Sequence, residues 1–117
     1  MDIVVTNNPL VKAQYKDTYS IDFIETDLFG ILTAVRDLIH KGHRLLTHPL
    51  MGSVKPNESP YKSVVISKNT EGTDEQSVTI IEESIQAAKK FSPKDIPEQY
   101  LNDLQTVDLS LIRSALK

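Results

Sequence analysis

The chain is 117 residues long with a formal net charge of -3 and 25% charged residues. That is enough for one continuous core, too short for two substantial ones, and without the basic excess that nucleic acid demands. It contains no cysteine, which removes disulfides, thiolate nucleophiles, Cys-ligated zinc and iron–sulfur clusters together. The start lacks a basic segment followed by an apolar one, and no apolar run reaches spanning length. The expectation is a single cytoplasmic domain over residues 1–117 with neither nucleic acid nor membrane as a partner.

Ile3-Val4-Val5 is a short β-branched run that reads as a buried strand and stops at Thr6-Asn7-Asn8-Pro9. Asn8 as N-cap and Pro9 at the first helical position start a helix to about residue 15. Residues 20–25 alternate around Ile21 and Phe23 as a second strand. Leu28, Ile31, Leu32, Val35, Leu38 and Ile39 recur at spacings of three and four, one apolar face of a helix that Gly42 ends.

Arg44-Leu45-Leu46 is expected as a third strand and residues 63–67 as a fourth. The capping-box pair Thr73 and Gln76 opens a further helix, striped by Val78, Ile81, Ile85 and Ala88, that should run to about Phe91. Ser92-Pro93 breaks it. Two short helices, about 97–104 and 108–116, should follow.

Strands alternating with helices imply βαβ units. The expected fold is therefore a small Rossmann-like open α/β sandwich of about four mainly parallel strands, in the order 2-1-3-4, with helices on both faces and two short C-terminal helices. The link between the third and fourth strands holds no helix, which leaves the fourth free to run antiparallel at an edge. The C-terminal segment, about 94–117, packs on this domain or offers Leu109, Ile112 and Leu116 to another chain.

In open α/β sheets, ligands sit beyond the carboxyl ends of the strands. Two polar segments are expected there. Asn7 and Asn8 precede a helix whose free N–H groups and dipole favour an anion, although a turn at Asn7 and a cap at Asn8 are by themselves the simpler explanation of the pair. The other segment, from Thr47 to Tyr61, is long for a connection and is stiffened by Pro49, Pro56 and Pro60. His48, Ser53, Lys55 and Asn57 bring an imidazole, a hydroxyl, a cation and an amide, and Gly52-Ser53 suits an anion-binding nest. An ordered surface loop with Lys55 in solvent is the plainer alternative. No Gly-x-Gly fingerprint of a dinucleotide site exists, so no cofactor is named. His40, His43 and His48 lack the spacing and the carboxylate of a metal set, so no metal is assigned. His48 has no partner at a triad spacing, and a Cys-independent hydrolase or lyase using it is a minor alternative.

Thr6-Asn7-Asn8-Pro9-Leu10-Val11, the run from His40 to Leu50, and the run from Gly52 to Ser63 resemble the GrdX family. That family is encoded beside the glycine reductase components of anaerobes that ferment amino acids. The resemblance covers the chain from the first strand to the helix near Thr73, and it implies an accessory role near glycine, sarcosine or betaine reduction. It supplies no catalytic residue. Without a thiol or selenol, this chain is not itself a component that passes electrons through sulfur. The leading expectation is a small anionic metabolite bound by Asn7, Asn8, Thr47, His48, Ser53, Lys55 and Asn57. An assembly protein acting through its C-terminal helices, on glycine reductase components or on a second copy of itself, is the alternative.

Overall fold

Four consecutive buried residues, Ser63–Ile66, organise the sheet in the computed structural model, which describes residues 2–51, 55–92 and 94–116. They form strand β3, which lies antiparallel beside β1 (Ile3–Thr6), and β1 pairs in parallel with β2 (Ser20–Phe23) on its other side. The sheet is three-stranded, mixed and ordered β2-β1-β3. This overturns the expected arrangement of four mainly parallel strands in the order 2-1-3-4, and with it the Rossmann-like sandwich.

The physical reason is burial. Ser63-Val64-Val65-Ile66 is buried on both faces and belongs beside the central strand, whereas Arg44-Leu45-Leu46 carries an exposed Arg44 and a Leu46 that is 42% exposed. The expected third strand is therefore displaced outward to the free edge of β3. There it makes a single antiparallel bridge, Leu45 to Ile66.

Backbone and side-chain hydrogen bonds together close the rest of that edge. Leu46 N donates to Val65 O at 2.9 Å and Ser67 N to Arg44 O at 2.8 Å. Val65 N donates to Thr47 Oγ1 at 3.0 Å, Arg44 N to Ser67 Oγ at 2.8 Å, and Leu45 N to Ser77 Oγ at 3.0 Å. The edge is thereby covered by irregular chain, leaving less of it to pair with another molecule.

Helices cover both faces. Helix α1 (Pro9–Tyr15) starts at the Asn8 cap, and α2 (Leu28–His40) starts at Asp27, whose Oδ1 accepts from Gly30 N at 2.8 Å. Gly42, at a φ of 108°, turns the chain after α2; a Cβ there would also meet Thr70 at 3.1 Å. The next helix, α3 (Glu75–Lys89), is capped by Asp74 rather than Thr73, because the carboxylate accepts from both Ser77 N (3.0 Å) and Ser77 Oγ (2.6 Å). The two expected C-terminal helices are instead a 3-10 turn, Glu98–Tyr100, running into one helix, α4 (Leu101–Arg113). Gln105-Thr106-Val107 is polar enough to suggest a break, but it contains neither Gly nor Pro and the helix continues through it.

Strand alternation sends Val5, Val64 and Ile66 to one face, against Ile31, Leu32, Val35 and Ile39 of α2 and Ile81, Ile85 and Ala88 of α3. Val4 and Val65 point the other way, against Val11 and Tyr15 of α1 and Leu109 and Ile112 of α4. Each fully buried aliphatic side chain contributes roughly 1.5–3 kcal/mol. Leu116 joins the second core, so all three C-terminal residues named above pack inside their own chain.

Candidate functional site

The second face of the sheet turns polar at the carboxyl end of β1. Thr6 and Ser63 are cross-strand neighbours pointing the same way as Val4 and Val65, and α4 brings Asp108 over them. The residues Thr6, Asn7, Asn8, Lys62, Ser63 and Asp108 are all buried. Buried polar groups at this density must satisfy one another or be unstable.

They form a directed chain. Asn8 N donates to Thr6 Oγ1 (3.0 Å), the Thr6 and Ser63 hydroxyl oxygens lie 2.6 Å apart, and Ser63 Oγ donates to Asp108 Oδ2 at 2.8 Å. Since Ser63 spends its hydrogen on the carboxylate, Thr6 is the donor to Ser63. Asn8 Nδ2 donates to the same Asp108 oxygen at 3.0 Å and to Gln105 O at 2.9 Å, while its Oδ1 caps α1 by accepting from Leu10 N at 3.0 Å.

Asn7 works at the neighbouring junction. Its Nδ2 donates to Thr26 O (2.7 Å) and Pro60 O (2.8 Å), and its Oδ1 accepts from Lys62 N at 2.9 Å. Its own N–H donates to Lys62 O. One amide thus ties the end of β1 to the start of α2 and to the chain entering β3. Thr26 in turn packs so closely over Gly30 that a Cβ there would collide with it, which explains a glycine inside α2.

Lys62 is held by both of its backbone groups and is only 8% exposed. Its side chain lines a narrow cleft of about 20 Å³ with Leu28, Leu50, Val107, Leu111 and Asp108, and with Lys55, Ser59 and Tyr61. Burial pushes the Lys62 ammonium below the usual lysine value, and the nearby Asp108 carboxylate opposes that only in part. Among the described residues, its amine makes no hydrogen bond and no ion pair. Every other described lysine is exposed.

The expected site residues separate in space. Lys55 lines the Lys62 cleft, whereas Asn7 bonds the Lys62 backbone and Asn8 the Asp108 carboxylate from behind it. Thr47 sits beside β3, its hydroxyl accepting from Val65 N. His48 is exposed and its Nδ1 accepts from Leu50 N at 3.1 Å, holding a turn. Asn57 faces an adjacent cleft of about 150 Å³ with Phe29 and Phe91; its Nδ2 donates to Ser92 O at 2.7 Å and its buried Oδ1 has no partner among the described residues. Ser53 and Gly52 lie outside the described residues.

Sequence reasoning missed Lys62 and Asp108. Asp108 is simply the first residue of the expected 108–116 helix, and Lys62 falls between the 47–61 loop and the expected 63–67 strand; the local signal was a lysine directly preceding a β-branched run. It also missed the largest of these clefts, about 470 Å³ at the opposite end of the sheet, lined by Arg44, Ser67, Lys68, Asn69 and the start of α3. An antiparallel β3 places its carboxyl end there, away from those of β1 and β2. Among the described residues no helix is long and apolar enough to cross a membrane.

The fold and this centre define a small α/β protein with a buried lysine and a hydrogen-bonded carboxylate at one edge of a mixed sheet. A family model described as GrdX-like protein matches residues 3–117, and the chain belongs to that family. No curated protein and no solved structure matches it.

Proposed function

We propose that this protein is an accessory protein of the glycine reductase system that binds a small anionic metabolite at the carboxyl edge of β1. Family membership supports the pathway. The observation that carries the ligand reading is Lys62: a lysine only 8% exposed whose amine, among the described residues, makes no hydrogen bond and no ion pair, in a cleft that also presents Lys55. A carboxylate or phosphate oxygen entering there would supply the counter-charge that burial denies the ammonium. Asn7, Asn8 and Asp108 position the lysine, since their hydrogen bonds are made within the protein. The chain has no cysteine, so its role in that system does not pass electrons through a thiol of its own.

Thermal unfolding in the presence of acetate, glycine, betaine, acetyl phosphate and nucleotides tests this. A true ligand at about a hundredfold excess over its Kd adds about 2.7 kcal/mol of stability. The gain should shrink in Lys55→Ala and vanish in Lys62→Met. A flat response to every anion would remove the reading.

A further inference from the structure

The surroundings of Lys62 suit an amine that reacts as well as one that binds. Its backbone N–H and C=O are both engaged by Asn7, which fixes the point from which the side chain enters the cleft. Around it stand Leu28, Leu50 and Leu111, with little room for water. A volume of about 20 Å³ admits roughly one water-sized group, which is the size of a carbonyl end and too small for a bulky one.

A proton donor is also in place. Tyr61 lines the same cleft, and its hydroxyl oxygen accepts from Gln105 Nε2 at 2.9 Å, which leaves its own hydrogen free to donate. The exposed Lys55 at the mouth supplies a cation for the far end of a ligand.

We propose that Lys62 is a carbonyl-reactive lysine that forms a Schiff base with a small aldehyde or keto acid whose carboxylate is held by Lys55. This rests on the anion-binding reading of the same cleft and names its ligand class. The nitrogen lone pair of the neutral amine forms a bond to the carbonyl carbon as the C=O π pair moves onto oxygen. A proton passes from nitrogen to that oxygen to give a carbinolamine. Tyr61 then protonates the hydroxyl, which leaves as water while the nitrogen lone pair closes the C=N bond, and the iminium proton returns to the tyrosinate. Amine and carbonyl become imine and water with no change of oxidation state. Burial lowers the fraction of charged lysine and protects the imine from hydrolysis.

The test is reductive trapping on the full chain. Glyoxylate and cyanoborohydride are added at low occupancy, and the modified lysine is located by peptide mass mapping. The expected result is a carboxymethyl group concentrated on Lys62, lost from that position in Lys62→Arg and reduced in Lys55→Ala. Acetaldehyde, which lacks the carboxylate, should label Lys62 more slowly. Label spread over the exposed lysines with Lys62 untouched would overturn the proposal on wild type alone, whether or not the variants fold. If acetate still stabilises the protein in that case, only the carbonyl chemistry fails. If acetate has no effect either, the anion reading fails with it.

Discussion

Asn7 and Asn8 are adjacent in the chain and serve different neighbours. Asn8 spends its oxygen on the cap of α1 and its NH₂ on Gln105 O and the Asp108 carboxylate. Replacing it by Asp keeps the cap but sets two carboxylates against each other in a buried site, so Asn8→Asp should cost about 2 kcal/mol or more at neutral pH. The loss should lessen as pH falls through the carboxylate range, when one of the pair takes a proton. Urea midpoints at several pH values would show this; a pH-independent loss would place the carboxylate elsewhere.

Lys62 makes the opposite kind of prediction. Its folded value lies below the ordinary lysine value of 10.5, so between the two the unfolded chain binds more protons and stability rises with pH. At lower pH the cost of burying the charge is fully present. Lys62→Met should therefore stabilise the ligand-free protein, by on the order of 1 kcal/mol, and its advantage should fade as pH approaches 10.5. A variant less stable than wild type at every pH would mean that the Asp108 attraction outweighs burial.

At the scale of elements, α3 and the edge of β3 depend on single side chains. Asp74 is held below the usual carboxylate range by the Ser77 hydroxyl, then by the Ser77 N–H, with a smaller contribution from Arg44. A depressed carboxylate stabilises above its unfolded value and loses that contribution as pH falls through the folded one. Asp74→Ala should lower Tm at neutral pH and match wild type in strong acid. Thr47→Val, nearly isosteric, leaves Val65 N–H without its acceptor and should cost about 1 kcal/mol. Hydrogen exchange at Val65 would rise accordingly; unchanged protection there would show that the edge is closed by other means.

Element identity was legible where local chemistry speaks alone: Asn8 before Pro9, the three-and-four spacing of α2, the β-branched runs of β1 and β3. Arg44-Leu45-Leu46 was misread because so short a run, one arginine and two leucines, does not reveal whether it will be a central strand or an edge. That depends on which other run competes for the place beside β1, and Ser63–Ile66 buries more.

For the whole molecule, α4 closes the second core and completes the polar centre at once. It covers Val4, Val11 and Val65 with Leu109 and Ile112, and it carries Asp108 to Asn8 and Ser63. A chain ending at Phe91 should lose cooperative unfolding, because it exposes that apolar face and leaves the Asn8 amide and the Ser63 hydroxyl without their acceptor. Calorimetry would show a broad or absent transition. A sharp one would make α4 an appendage, and the surface it vacates a place for another chain.

The sequence by itself determined the α/β class, most helix positions, the absence of thiol chemistry, the family likeness and the importance of the Asn7-Asn8 turn, because caps, periodicity and composition are local properties. Only the tertiary structure decided that β3 runs antiparallel beside β1, that the 47–61 loop meets Asn7 with its far end, and that Lys62 and Asp108 share a buried centre. Pairing and burial are settled by competition between segments far apart in the chain. Asp108 and Asn8, one hundred positions apart, acquire their meaning only when α4 docks.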